Sequence, residues 1–592
     1  MAEYQNPQQE PGADKKLLLV FALTFAIILI AQPLLRKYGP QPPEAPSKTQ
    51  TVPPAAAPAP SDVQSNAAPV LSSTASATAT VQASAETDTV IENDLYRITL
   101  TNRGAQVKSW ILKKFDNDTQ TGPLELVSAA SQKYGYPLSL WTYDETLRNK
   151  LSSALYVAAS SSSSQTLAAP ASITFTYAES DVSVRKTFSF DHTYVVGVET
   201  SVTYKGASVA AFPAWPAGFG DQSTPASFAA GTIAYQSGSD IVRPPVRCGT
   251  FSFLSHCEPI GNGSTIKGPF HWAGTSGQYF TAIFLPDDAA SAALVTLRNS
   301  VPVPQDANRS VEALGVAVGS LNGPSRGRIY VGPKDIATLQ TVSIPGISTG
   351  DANLGGLVDY GWFGIISKPL FLWLKWIHNH IVGNWGWAIM LQTLAITLLL
   401  LPLRISQMKS MLRMQRVAPQ IKAIQEKYKK YSMRDPRKAA MNEEVAALYK
   451  TEGVNPAGGC LPLLIQMPFL FAYYRMLSNA VEFRHAPWLW VHDLSSPETA
   501  ALRLLPLFMV GSMLLMQKMT PQTGMDPAQQ KMLTIMMPAM MGFMFWNLPA
   551  GVNLYYTETN LIGIIQQVVM NRTQLGREMR ELAEKRARKK DK

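Results

Sequence analysis

The run NWGWAIMLQTLAITLLLLPL, Asn384 to Leu403, is twenty residues long and carries no charged side chain. About 18 such residues suffice to cross the roughly 30 Å hydrocarbon layer of a bilayer. Four more apolar segments follow: Asn455 to about Ala480, Thr499 to Met516, Met532 to Leu548 and Ala550 to Met570. A water-soluble fold cannot hide that much apolar length, so the sequence predicts a polytopic α-helical membrane protein.

Upstream, Leu17 to Leu35 is a nineteen-residue uncharged run between Lys15-Lys16 and Arg36-Lys37. It is longer than a usual signal-peptide core and has no small-residue cleavage site, which predicts an uncleaved anchor within residues 1–38. Residues 39–89 turn to Pro, Ala, Ser and Thr, with eight prolines between Pro40 and Pro60, the composition of an extended tether. Residues 90–345 hold short alternating runs such as Ile173 to Tyr177, Val182 to Phe190 and Tyr194 to Tyr204, separated by Gly, Pro, Asn and Ser. That pattern predicts an all-β sandwich domain. Residues 361–380 mix Trp362, Phe363, Phe371, Trp373 and Trp376 with Lys368 and Lys375, as suits a helix lying in the bilayer interface.

Charge orients this arrangement. The chain holds 52 Lys and Arg against 42 Asp and Glu, a surplus that in a soluble protein suggests nucleic acid. Here it gathers beside the apolar runs. Residues 404–452 carry twelve basic and five acidic side chains, and the tail 572–592 carries nine basic ones. With both termini and this loop in the cytoplasm and the β domain outside, each segment follows the positive-inside rule. The loop predicts a helical hairpin, Ser406 to Tyr431 and then Pro436 to Lys450, interrupted at Asp435-Pro436. Its Arg413, Arg416, Lys427, Lys429 and Lys430, with Arg586, Arg588, Lys589 and Lys590 of the tail, are candidate contacts for anionic lipid or ribosomal RNA, between which sequence does not choose. A plain solvated connector is the other reading of the hairpin.

Few groups suggest chemistry. Cys248 and Cys257 stand nine positions apart as a candidate disulfide if the β domain is extracytoplasmic, although spacing does not give geometry. No Cys/His set has metal-ligand spacing, and neither metal nor cofactor is expected. Ten methionines in or just after the third segment and in the fourth offer either ordinary packing or an adaptable apolar surface. Arg475, Arg503 and Glu558 are the ionisable groups within the segments. At 1.5 Å per residue Arg475 and Glu558 fall at similar depths, roughly 10 Å from the outer boundary, which predicts a charge pair between them, with Arg503 as second choice.

Several ordered motifs resemble the YidC family of membrane protein insertases. They include Asn455-Pro456-Ala457-Gly458-Gly459-Cys460-Leu461-Pro462, continuing through Gln466-Met467-Pro468. Gln517-Lys518-Met519 and Asn553-Leu554-Tyr555-Tyr556, followed by Asn560 and Ile565-Gln566-Gln567, fit as well. The resemblance spans nearly the whole chain. It implies six transmembrane helices, five of them forming an insertase core at residues 384–571, and a periplasmic β-supersandwich in a bacterial inner membrane. It also implies nascent membrane proteins as clients, with the Sec translocon and the ribosome as partners. In the family one Arg sits in a polar groove five residues before a Pro-Leu pair; here that position is Thr397. Gln392, Thr397, Gln466, Met467, Tyr555, Tyr556 and Asn560 are the candidate groove and client contacts. A transporter would show related halves and an intramembrane enzyme a nucleophile with its base, and the sequence has neither.

Overall fold

The computed structural model describes residues 80–160, 166–246, 258–304, 306–344, 354–428, 431, 437–453, 461–499, 502–519, 532–573 and 577. The anchor expected at 17–35, the tether as far as residue 79, Cys248, Cys257, Lys429, Lys430 and the tail's Arg586, Arg588, Lys589 and Lys590 lie outside the described residues.

Alternation builds the β domain. Val182–Phe190 buries every second side chain, and it pairs antiparallel with Ala171–Glu179 on one side and Val195–Tyr204 on the other. Val195–Tyr204 pairs in turn with Ser325–Pro333, near the middle of a ten-stranded sheet. Two five-stranded sheets complete the domain. One centres on Gln106–Asp116 and Tyr96–Thr101, the other on Ala292–Val303 and Asp306–Ser320. Trp110 and Trp215, one from each smaller sheet and both fully buried, meet edge to face with ring centroids 6.0 Å apart.

The helical half consists of α1 (Gly364–His380), α2 (Trp385–Leu399), α3 (Leu401–Lys427), α4 (Arg437–Thr451), α5 (Leu461–Asn479), α6 (Leu504–Met519), α7 (Met537–Phe545) and α8 (Ala550–Arg572). Among the described residues no helix is long and apolar enough to cross a membrane. The continuous spans expected from sequence are broken or polar for identifiable reasons. Asn384 caps α2, with its side chain accepting from the backbone of Gly386 and Trp387, and α2 ends at Leu399 after about 22 Å. Pro402 sits in the first turn of α3, where its missing N–H is harmless, so the apolar run is divided between two helices. The Met532 segment opens with a five-residue π turn, and α7 itself has nine residues. α8 is long enough at 23 residues but carries Asn553, Glu558, Asn560, Gln566 and Gln567.

The β domain rests directly on the helical half. Arg484, past the end of α5, donates to the Asp116 carbonyl at 2.6 Å and to Asp118 Oδ1 at 2.9 Å, with its guanidinium over the Phe280 ring. Tyr279 donates to Ser495 Oγ at 3.1 Å, and Gln278 to the Ser478 carbonyl at 2.8 Å. Lys375 of α1 lies between Asp335 of the β domain, at 3.3 Å, and Glu482, at 3.1 Å. Burial pushes the Glu482 carboxyl up to about 7 against the pull of Lys375. Asp335 feels the same burial but is held below its usual value by its bonds to Thr338 and by Lys375. A cleft of about 930 Å³ opens beside this contact, lined in part by Lys114, Phe190, Tyr194, Arg328 and Glu482.

Lys186 is the anomaly of the β domain. Its ammonium is fully buried and donates to the carbonyls of Gly104, Ala105 and Leu138, none of which is a carboxylate. Burial alone pushes it down to about 7. The unfolded chain keeps this proton to about pH 10 and the folded one only to about 7, so stability rises with pH between them, by at most about 1.4 kcal/mol per unit. The urea midpoint followed by the emission of Trp110 and Trp215 is expected to increase from about pH 7 to 9, and Lys186→Met to abolish that slope.

Candidate functional site

α8 is the hub of the helical half. Every residue from Ala550 to Asn560 is buried, and α2, α5 and α6 all pack against it. Half of that surface is polar, so each side chain needs a partner in a neighbouring helix or in its own backbone.

Four neighbouring helices surround these side chains. Toward α5, the rings of Tyr555 and Tyr473 stack with centroids 4.2 Å apart and planes 11° from parallel. The Tyr473 hydroxyl donates to Gln392 Oε1 of α2 at 2.6 Å, and Gln392 Nε2 donates to the Leu370 carbonyl of α1 at 2.8 Å. Toward α6, Asn560 donates to Ser512 Oγ at 3.1 Å. Toward α7, Asn553 donates to the Phe545 carbonyl at 3.1 Å, and the Tyr556 ring tilts against Phe545 at 5.0 Å. Glu558 faces α2, with its carboxyl beside Thr393. The hydroxyls of Thr393 and Thr397 also donate to the carbonyls one turn earlier, at 2.7 Å each, which quiets two polar groups inside an apolar helix.

Near the other end of α8 a cation enters. Arg404, in the first turn of α3, donates to Gln566 Oε1 at 3.0 Å. Gly563 makes room for it: a Cβ there would stand 3.3 Å from Arg404 Nη1 and 3.0 Å from Met516 Sδ. The outer faces of the same helices are apolar and open. Ile365 is 87% exposed, Leu399 78% and Phe543 81%, whereas the β domain contributes only Tyr143 and Val157 to the exposed large apolar side chains among the described residues.

Comparison with known proteins settles the ancestry of this arrangement. Residues 88–373 match the family described as YidC periplasmic domain, and residues 376–577 the family described as 60Kd inner membrane protein. A membrane protein insertase YidC from a Geobacter species is 30% identical over 505 residues, covering 82% of this chain and 86% of that one. The chain belongs to the YidC family. The insertase YidC of Campylobacter jejuni is 41% identical over 244 residues, covering 41% of this chain and 43% of the relative, and that of Wolinella succinogenes is 37% identical, covering 50% of each. The chain thus spans about half the length of these two curated relatives. A crystal structure of an active YidC insertase with its first transmembrane domain resolved covers 84% of this chain and 95% of its own, at 19% identity and a TM-score of 0.34, a likeness too loose to argue from.

The groove residues expected from YidC resemblance do not form one continuous lining. Gln392, Tyr555 and Asn560 are each engaged between helices, Thr397 is buried with its hydroxyl on the Thr393 carbonyl, and Tyr556 packs on α7. Gln466 and Met467 lie about two turns before Tyr473 on α5 and are half-buried. The expected Arg475–Glu558 pair is not made. Arg475 follows Tyr473 by two residues, roughly 200° around α5, and lies exposed against Gly361, 3.5 Å from where a Cβ there would be. Arg503 does not take its place, since it caps α7 through the Trp546 carbonyl and Asn547 Oδ1. Sequence reading missed Arg404 by assigning it to the cytoplasmic loop. The usable signal was Pro402, which starts a new helix and so keeps Arg404 against the bundle.

The Gln392 link carries a measurable load. Gln392→Leu removes two hydrogen bonds and leaves the buried Tyr473 hydroxyl without its acceptor, at a cost of about 2–3 kcal/mol, whereas Tyr473→Phe removes one bond and costs about 1 kcal/mol. Thermal unfolding of the detergent-solubilised protein is expected to rank them in that order.

Proposed function

We propose that this chain is a membrane protein insertase of the bacterial inner membrane, with six transmembrane helices, both termini in the cytoplasm and the β domain in the periplasm. The observation that carries the reading is the inversion of polarity across the helical half. Apolar side chains are exposed outward while Asn553, Glu558, Asn560, Gln392 and Arg404 are turned inward. In lipid the outer surface is solvated, and short or kinked helices are tolerable where protein shields their backbone. No bond has to be made or broken in a client. A polar interior reached from the cytoplasm lowers the cost of moving polar flanks through a low-dielectric layer, while the client's apolar segment passes sideways into lipid.

The cytoplasmic hairpin of α3 and α4 is the proposed ribosome and lipid contact. Val417 and Ile421 pack against Val445, Leu448 and Tyr449, which makes the hairpin a folded unit. Arg413 and Arg416 are exposed on it, while Lys427 is engaged with Glu444 at 3.1 Å. The basic residues of the tail are proposed for the same role. Action alone or beside the Sec translocon fits equally well, and a transporter or intramembrane enzyme finds no support in this interior.

Two experiments test the proposal. A photo-reactive residue at position 466 is expected to crosslink to a ribosome-bound single-span client, whereas one at buried position 392 is not; equal labelling from both would overturn the assigned client path. Ribosome affinity is expected to fall steeply with salt and to drop on deletion of Arg577 to Lys592, because each phosphate contact releases counterions.

A further inference from the structure

Glu558 is 9% exposed, and its Oε2 atom has no hydrogen-bond partner. Thr393 and Tyr473 are the polar side chains beside the carboxyl, and the hydroxyl of each donates elsewhere, to the Ile389 carbonyl and to Gln392. Among the described residues no cation is paired with it. Arg404 is held by Gln566, eight residues or about 12 Å further along α8. Arg475 faces away beside Gly361, and Arg503 is bound at the end of α7. A carboxylate buried with one oxygen idle is costly, and the cost is relieved when a cation reaches it. The interior of the helical half is therefore bipolar, acidic at Glu558 and basic at Arg404.

We propose that Glu558 is a specificity-determining residue of the insertase core: it receives a positively charged group of the client, a Lys or Arg side chain or a free amino terminus, as the translocated flank passes the core. The proposal rests on the insertase reading above. In the empty core Oε2 is without a partner, and it is the atom that accepts from the client's ammonium or guanidinium. Clients with a basic translocated flank gain this contact, and clients with an acidic flank meet a like charge in a low-dielectric site. Discrimination between clients is then the difference between those two terms.

The test uses the full chain reconstituted in liposomes and a single-span client made in three forms, with Lys, Gln or Asp in its translocated flank. The readout is the ratio of Lys-form to Asp-form insertion, which is insensitive to how much protein has folded. Wild type is expected to favour the Lys form by about tenfold, and Glu558→Gln to bring the ratio close to one. Glu558→Asp is expected to keep the preference and Glu558→Lys to reverse it. A ratio that is the same in wild type and Glu558→Gln overturns the role of Glu558 and leaves the insertase reading standing. Failure of the wild type to insert the Gln form overturns that reading, and this proposal with it.

Discussion

Eleven consecutive residues of α8, Ala550 to Asn560, are buried on every side of the helix, and the rest of the helical half is arranged to satisfy them. A helix in contact with lipid must be apolar; one surrounded by protein need only have its polar groups paired. α8 takes the second course. Tyr555 stacks on α5, Asn560 bonds to α6, Asn553 caps α7 and Glu558 meets α2. The apolar surface is carried by the helices around it. This explains why the longest apolar-looking segment at the C-terminal end is too polar to qualify as a membrane helix by itself.

The β domain is bound to this bundle by side chains as well as by the chain. Arg484 reaches Asp116 and Asp118, and Lys375 bridges Asp335 and Glu482. Behind them the segment that follows α5 is held down by packing. Trp488 lies on α2 where Gly386 leaves space, since a Cβ there would come within 2.1 Å of the ring. The domain therefore braces α1 and the C-terminal end of α5. Its internal stability is a separate matter, since it includes a fully buried ammonium at Lys186, bound to three carbonyls.

Charge inside the bundle is sparse, and its placement follows from helix breaks. The interruption at Leu400 lets α3 begin with Pro402 in its first turn and so bring Arg404 against Gln566 and Gly563. Had the apolar run continued as one helix to Leu403, nothing in its sequence would have directed Arg404 toward α8. The position at which the resemblance implies a groove Arg holds Thr397, whose hydroxyl bonds to its own helix. The positive charge of this interior is supplied from about two turns further along the chain.

Composition and periodicity by themselves determined the division of the chain. Strict alternation in Val182–Phe190 is a strand with one face buried wherever it is placed, and uncharged runs such as the one after Asn384 are buried or lipid-facing helices in any context. The motifs around Asn455 and Asn553 also carried the family. Sequence could give the height of Arg475 and Glu558 along their helices, because the rise per residue is constant, and those heights agree. Only tertiary packing decided their azimuth. Tyr473 turns inward to Tyr555 and Gln392, and that forces Arg475, two residues on, to the outside. Likewise Gln392 and Asn560 were legible as polar groups in apolar helices, but whether they would line a groove or join two helices depends on the distance to Leu370 and Ser512, residues remote in the chain that only folding brings within reach.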